Sequence, residues 1–563
     1  MIKKLIPWIC VIIVTLFTIR PLFSSGFFPM HDDAQVARVI EMTKALKNGQ
    51  FPVRIVSDLG YGYGYPLFNF YGPLPYYIGG GINALGLDAL TATKIMIGIG
   101  VVMGSIGMYI LSSSIFGAFG GILSATLFAY FPYRAVQLYV RGAVGEIWAI
   151  SFLPLVFFGF FLVSQKNKQR IGIFVTGFSL AGIIVSHTVF GYVVTGSMAL
   201  VVLLTFLISL QKKKRTIRSF IPPLIAICAI ALGLTAFFWL PAIAEMSYVN
   251  VQKVIGDTAK YKNHYICFLQ LWDSPWGFGG SAPGCLDGIS FKLGKLHIIV
   301  FIAALFMRFF SKEKGKRIHF ILMGTAILSG LLLFLTLQIS RPVWEIIPFF
   351  PFVQYPWRFL GPLGVCIALI SGYVLYKRKS LISIISLFIL GGGSILINAK
   401  LFTPQYLYSS PAESFTNLEE LRWRASKVSD EYLPQGIKIP ETVSRVVQER
   451  VTGNEFTNVK KIWETETGGK YQVEAYKKQE LKLNMAFFPG WTFFVNGDEV
   501  KPKVVQGQPY VVLSTGINLV EMRFSDTFVR EIGNGLTLIT IIGMAVIFIY
   551  GKKNIRNYRH TRI

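Results

Sequence analysis

Charged residues are scarce in this chain. They make up 15% of its 563 residues, where a soluble protein carries about 25%. Acids are scarcer still, with 29 Asp and Glu against 55 Lys and Arg. Five cysteines in a chain this long do not make a secreted disulfide scaffold, and no Cys/His spacing reads as a zinc module. There is no internal repeat and no low-complexity tract. These absences exclude a soluble multidomain enzyme, a disordered scaffold and a stapled miniprotein. What is abundant is apolar surface: 53% hydrophobic residues, including 47 Phe, 25 Tyr and 10 Trp. The mean hydropathy is +0.53. This is the composition of a polytopic membrane protein.

A net charge of +26 invites a nucleic-acid reading, so the placement of the charge matters. Most of it lies in short segments between apolar stretches, such as Lys166–Arg170, Lys212–Arg218, Lys312–Arg317, Lys377–Lys379 and Lys552–Arg562. Those segments and Lys3 and Lys4 carry a single acid, Glu313. Basic short loops mark the cytoplasmic side of a membrane protein. The clusters are scattered and lack interleaved aromatics, so no nucleic-acid partner is expected.

A span needs about 20 mostly apolar residues. With the basic loops held inside, the sequence predicts twelve, roughly 5–23, 92–112, 115–132, 146–163, 171–187, 190–210, 220–240, 294–310, 319–338, 359–376, 381–398 and 532–550. Both termini then face the cytoplasm. The first stretch lacks a small-residue cleavage site and reads as an uncleaved anchor. The expected fold is an all-α polytopic membrane bundle with a small extracytoplasmic β-rich domain before the last helix. Residues 1–398 form the transmembrane part, with outer loops 24–91, 133–145, 241–293 and 339–358. Residues 399–531 form the extracytoplasmic domain, and 532–563 form the last span and a basic tail. The stretch 66–87 reads as interfacial or re-entrant, since counting it as a span would move Lys166–Arg170 outside. In the outer domain, Tyr471, Val473 and Ala475, then Leu481, Leu483 and Met485, then Tyr510 and Val512 alternate as strands do. Asn496-Gly497 is a hairpin turn signal. Residues 413–430 are more helical in pattern.

The predicted span interiors are almost free of acids, while acids and arginines gather just outside them. Transporters keep ionisable groups nearer mid-membrane. The sharpest cluster is His31-Asp32-Asp33. It opens an amphipathic stretch with Val36, Val39, Ile40 and Leu46 on one side and Arg38, Glu41, Lys44 and Lys47 on others. Capping that helix needs one carboxylate. A pair also suits a general base or a cation site. Arg54 precedes a Gly/Tyr run containing Tyr63 and Tyr65, whose flat faces suit either a sugar or the membrane interface. The next outer loop carries Arg134, Arg141 and Glu146, and later loops carry Trp272, Trp276 and the pair Trp357-Arg358. Outer arginines suit phosphate through their planar donor forks, or they pair with Glu146. His187 reads as a packing residue. Cys267 and Cys285 share one outer loop, where a disulfide and two free thiols are both open readings. No residue set in the sequence reads as a metal site.

The order of these elements resembles the GT-C superfamily of membrane glycosyltransferases. An outer Asp-Asp follows one span, then come an amphipathic helix, "GQFPVR", "GYGYPLFNFYGPLPYYIGG" and "PYRAVQLYVRGAVGE". Within that superfamily the chain resembles the bacterial membrane proteins labelled 6-pyruvoyl-tetrahydropterin synthase-related and their YfhO-like relatives, also through "SPWGFGGSAPGCLDGISFKLGKLHI", "FPFVQYPWRFLG" and "FFPGWTFFVNGDEV". The zinc histidines of a pterin synthase are absent. The resemblance implies a bacterial cell-membrane enzyme that moves a sugar from a polyprenyl-phosphate donor to an envelope acceptor at the outer leaflet, with inversion. It implies a base at Asp32 or Asp33, with Asp32 slightly preferred. Arg54, Arg134, Arg141 and Arg358 become candidates for the departing phosphate. Relatives in the mannosyltransferase branch carry His-Pro-Pro or Lys-Pro-Pro where this chain has Tyr71-Gly-Pro-Leu-Pro75. Some members of the superfamily use a divalent cation, but the ligand set here is too thin to assign one. A flippase for lipid-linked glycans and a non-catalytic envelope protein are the competing readings. The oligomeric state is left open.

Overall fold

The computed structural model describes residues 2–212, 221–251, 260–311, 315–348, 350–409 and 412–560. The basic residues Lys213, Lys214, Arg215, Arg218, Lys312, Lys314 and Arg562, with Glu313, lie outside them.

Each stretch expected to span the membrane is helical where described. Among the described residues, seven helices are long and apolar enough to cross on their own: Ala89–Ala129, Val144–Val163, Lys166–Ser186, Lys316–Thr336, Pro356–Leu375, Ser380–Leu401 and Phe528–Ile547. An eighth crossing is a bent pair, Ile221–Leu234 and Ala236–Ala244, which meet at 73°. Lys4–Thr18 and Thr188–Leu200 are apolar but shorter, and Lys295–Phe309 has 15 residues. The 41-residue Ala89–Ala129 element holds two of the expected spans. It breaks at Gly117, where φ is 84° and ψ is 175°. Past the break the chain folds back, and Ser112 Oγ lies 2.7 Å from Ser124 Oγ. Only glycine takes that backbone region without strain. Pro356–Leu375 is the most enclosed of the spans, with 83% of its apolar window buried, and Phe528–Ile547 lies at the edge with 11%. The stretch 66–87 forms two short helices, Leu67–Phe70 and Leu74–Ala84, neither long enough to cross.

Residues 457–524 form eight strands: β1 Thr457–Thr465, β2 Gly468–Ala475, β3 Gln479–Lys482, β4 Trp491–Val495, β5 Asp498–Val500, β6 Lys503–Val505, β7 Gln508–Leu513 and β8 Gly516–Phe524. They make an antiparallel sheet in the order β1-β2-β8-β4-β5 and a second in the order β3-β7-β6. Asn496 and Gly497 both have positive φ and turn β4 into β5, as the two-residue hairpin requires. The inward residues of β2 are Tyr471, Val473 and Ala475. In β7 the inward residues are Val511 and Leu513, and Val512 is exposed. The core of this domain continues into the outer loops through Ile55, Phe70, Ala242 and Val249. The domain therefore sits on loop 24–91. Cys267 and Cys285 form a disulfide that closes part of the 260–293 loop.

Candidate active site

Two loops, 24–91 and 133–145, meet edge to edge. The His31 N–H donates to the Val140 carbonyl at 2.9 Å, and the Asp32 N–H donates to the Arg141 carbonyl at 3.0 Å. Gln35 Nε2 adds a bond to the Gly142 carbonyl at 2.9 Å. Gly142 allows the approach, since a Cβ there would fall 2.1 Å from Met30 Sδ. Neither Asp32 nor Asp33 caps the Gln35–Lys47 helix, whose N-cap is Ala34 with no side-chain bond. The carboxylates are left for other work.

Asp32 Oδ2 accepts from Arg38 Nη1 at 2.8 Å, Gln35 Nε2 at 2.9 Å and the Tyr71 hydroxyl at 3.3 Å. Arg38 lies 4.3 Å over the Tyr71 ring and is buried. The charged side of this amphipathic helix is largely buried as well: Arg38 and Glu41 are 1% and 0% exposed. Outer-loop residues cover both sides of the helix, so its polar side meets protein instead of water. Glu41 faces Asp58, Lys44 and the Asp58 N–H. Asp33 makes no hydrogen bond to a described residue. Its carboxylate lines a pocket of about 630 Å³ together with Tyr406, Tyr408, Phe415, Asn417 and Glu420. Asp33 is exposed to that pocket. Desolvation, then the neighbouring charges of Glu420 and Asp32, push its pKa up to about 7.

Around Glu146 a second cluster gathers. Glu146 is fully buried; its Oε1 accepts from the Tyr133 hydroxyl and Gln137 Nε2, each at 2.8 Å. Its Oε2 accepts from Arg141 Nη1 at 2.7 Å and lies 3.9 Å from Arg358 Nε. Two guanidiniums thus share one carboxylate, leaving excess positive charge. Arg141 also lies 4.4 Å over the Trp357 ring. Trp357 is clamped by Ser281 Oγ at 3.2 Å and by the stacked Tyr355. His187 belongs to this cluster: Arg358, Glu146 and Arg141 all act on its ring. Its Nδ1 accepts the Phe190 N–H at 3.2 Å, which leaves the proton on Nε2.

The third contributor is the outer domain. Glu431 is half-buried and takes both of its described hydrogen bonds from Ser429 Oγ, at 3.1 Å. Desolvation raises its pKa, with the Arg38 charge opposing and the Asp32 charge adding to the rise. Tyr432 beside it feels Arg38, Arg358 and Asp32, so the Asp32 cluster and the Arg358 cluster flank the same segment.

Other expected residues lie apart. Arg54 is occupied on all three nitrogens, by Asp526 Oδ1 at 3.2 Å, Asn69 Oδ1 and the Phe237 carbonyl, and Asn534 Oδ1 at 3.1 Å. Arg134 is buried over the Phe128 ring at 4.2 Å, away from the Glu146 cluster, and burial lowers its pKa to about 9. Tyr65 spends its hydroxyl on Ser429 O and the Tyr432 N–H, while Tyr63 is half-buried beside it. Trp276 is half-buried, and the same loop reaches the site where His31 Nε2 meets Phe278 O at 2.9 Å. Trp272 is 47% exposed and lies near Lys295. Among the described residues no group of three or more His, Cys, Asp or Glu is arranged to hold a metal ion.

Residues 68–401 match the family described as the 6-pyruvoyl-tetrahydropterin synthase related domain, a membrane protein family. An uncharacterised protein of Lactococcus lactis subsp. cremoris (strain MG1363) is 26% identical over 247 residues, 42% of this chain and 39% of that one. The chain thus matches about two-fifths of that relative's length. Among solved structures, ArnT from Cupriavidus metallidurans bound to undecaprenyl phosphate is similar with a TM-score of 0.42 and 12% identity, covering 69% of this chain and 63% of that one. The archaeal oligosaccharyltransferase AglB from Archaeoglobus fulgidus, in complex with an inhibitory peptide and a dolichol-phosphate, gives 0.40 and 12%, covering 71% and 56%. Arabinofuranosyltransferase AftD from Mycobacteria gives 0.43 and 14%, covering 72% and 27%.

Proposed function

The chain belongs to the 6-pyruvoyl-tetrahydropterin synthase related membrane proteins, and from that premise we propose that it is a membrane glycosyltransferase. It moves a sugar from a polyprenyl-phosphate donor to an envelope acceptor at the outer leaflet, with inversion. One observation carries the reading. The Asp32 N–H bond to the Arg141 carbonyl ties the loop of the Asp pair to the loop that carries the Arg141–Glu146–Arg358 cluster, so acid and cation come from adjoining loops.

Inverting transfer needs a base on one side of the anomeric carbon and positive charge on the other. Asp33 takes the acceptor hydroxyl proton. It has no ion pair among the described residues, it opens on the pocket with Tyr406 and Tyr408, and its pKa of about 7 suits a base at neutral pH. As the acceptor oxygen bonds to the anomeric carbon, the carbon–phosphate oxygen bond breaks and its electron pair leaves with the phosphate. Arg141 and Arg358 receive that charge; their positive excess over Glu146 is there before the reaction begins. Asp32, held by Arg38 and Tyr71, orients the sugar. The preference for Asp32 as base thus shifts to its neighbour. Arg54, with its donors engaged, and Arg134, turned aside, take no part.

The test is transfer by the purified chain from a polyprenyl-phosphate sugar to an envelope acceptor. Asp33→Asn is expected to lower the rate by about 10²–10⁴-fold. Asp32→Asn is expected to raise KM more than it lowers kcat. Full transfer by both variants removes the base assignment. Lipid translocation in liposomes without transfer replaces the enzyme reading with a flippase.

A further inference from the structure

A groove of about 740 Å³ runs between the first helix and the first half of Ala89–Ala129, remote from the site above. None of Asp32, Arg141, Glu146 or Arg358 lines it. One wall descends from Thr91 and Lys94 past Gly98 and Val102 to Ile106, and Leu16 and Ile19 form part of the other. These wall positions recur every three or four residues, so they share one helix face. From Thr91 to Ile106 the wall is about 22 Å long at 1.5 Å per residue. That exceeds one leaflet of hydrocarbon, about half of 30 Å.

The groove is apolar except at one end. There Lys94, 9% exposed, donates from Nζ to the Ser24 carbonyl at 2.7 Å. An ammonium has three donors, and this is the one hydrogen bond that the Lys94 ammonium makes to a described residue. No carboxylate forms an ion pair with it among the described residues. Asp88, the nearby acid, caps the helix by accepting from the Thr91 N–H at 2.9 Å. A lysine drawn under a headgroup layer, with an acyl-length channel beneath it, has the chemistry of an anionic lipid site.

We propose that this groove binds an anionic phospholipid of the outer leaflet, with its phosphate at Lys94 and one acyl chain along Gly98 to Ile106. The occupant is a membrane phospholipid and not the sugar donor. A donor phosphate held at Lys94 would sit outside the Arg141–Arg358 cluster. The lipid wedges the first helix against its neighbour and so steadies the strand of chain that leads to Asp32. The proposal does not rest on glycosyl transfer.

The full chain is purified in mild detergent from membranes of known composition, and its retained lipids are weighed by mass spectrometry. Phosphatidylglycerol is expected to be enriched over phosphatidylethanolamine about fivefold, the ratio that one lysine contact of this kind supports. Lys94→Gln is expected to abolish that preference while a chain is still retained. Gly98→Leu, whose new side chain projects into the groove, is expected to retain neither lipid. Melting in nanodiscs checks that both variants fold, and phosphatidylglycerol should raise the melting temperature of the unaltered chain alone. An unchanged lipid ratio in Lys94→Gln overturns the proposal. So does polyprenyl phosphate as the lipid that both substitutions lose.

Discussion

Asp32 and Asp33 are adjacent in the chain but face different surroundings. Asp32 is spoken for by Arg38, Gln35 and Tyr71. Asp33 faces Glu420, Glu419, Arg424, Tyr406 and Tyr408 across its pocket, with His31 and Asp32 beside it on its own loop. Its raised pKa makes two predictions. Transfer should climb with pH through an inflection near 7, and Asp33→Asn should lose both the inflection and most of the rate. Glu420 is raised as well, so the apparent value belongs to the pair. The second prediction concerns stability. Between the unfolded value of 3.8 and about 7 the folded chain holds a proton that the unfolded chain releases. Stability from this group is therefore full below pH 3.8 and is lost as pH rises through 7. Asp33→Asn should melt higher than the unaltered chain at pH 8, and the gap should close on acidification. A gap that is constant from pH 5 to 8 would contradict the assignment. At this scale the sequence marked the Asp pair, Arg141, Glu146 and Arg358 because polar groups are rare in an apolar chain. It did not mark Glu431, and it read His187 as a packing residue. Glu431 comes from a segment already rich in charge, and His187 ends an apolar run; both meet the two clusters through contacts distant in sequence.

At the scale of elements, apolar length and turn chemistry were legible, and the environment of polar faces was not. The Asn496-Gly497 hairpin and β2 were marked by local pattern. In β7 the marked pair, Tyr510 and Val512, is the outward face, because Pro509, Val511 and Leu513 point into the core. A six-residue strand with apolar residues on both faces carries no signal to choose between them. The Gln35–Lys47 helix read as amphipathic because period alone cannot tell water from a covering loop. Gly117 is the element on which the span count turns. Its φ and ψ fall in a region that is essentially glycine-only. Gly117→Ala should cost about 1–3 kcal/mol, read as a lower melting temperature in detergent. Gly196, whose Cβ would meet nothing within 4 Å in an ordinary helical turn, is the control, and its alanine variant should be near neutral. Equal effects at the two glycines would mean that the turn at Gly117 is not a tight one.

Over the whole molecule, a buried polar network joins parts of the chain that are remote in sequence. Arg530 Nη2 lies 3.0 Å from Glu245 Oε2, and both residues are buried. Asn69 Nδ2 donates to the same carboxylate at 2.8 Å, and Arg54 reaches Asp526 and Asn534 at the start of the last helix. The last helix, the least enclosed of the spans, is pinned to loop 24–91 at its outer end. Glu245→Gln leaves Arg530 without its charge partner and should cost about 3–5 kcal/mol, whereas a paired Glu245→Leu, Arg530→Met exchange should cost much less. No local pattern announced this network, since its members are single residues spread over 480 positions. The same outer end fixes the topology on which the site depends. A straight helix of 41 residues would be about 62 Å long, twice the hydrocarbon core. Because the chain reverses at Gly117, residues 132–141 return to the side they left, and they meet His31 and Asp32 there. Val144–Val163 then crosses once, so the turn at 164–168 lies on the opposite face. Lys166 and Lys168 in that turn predict that it faces the cytoplasm. In intact cells a membrane-impermeant maleimide should therefore label His31→Cys, and it should label Gln165→Cys only after permeabilisation. Labelling of both residues from the same side would show that Gly117 is not a reversal within the membrane, and the Asp pair would lose its place at the outer leaflet.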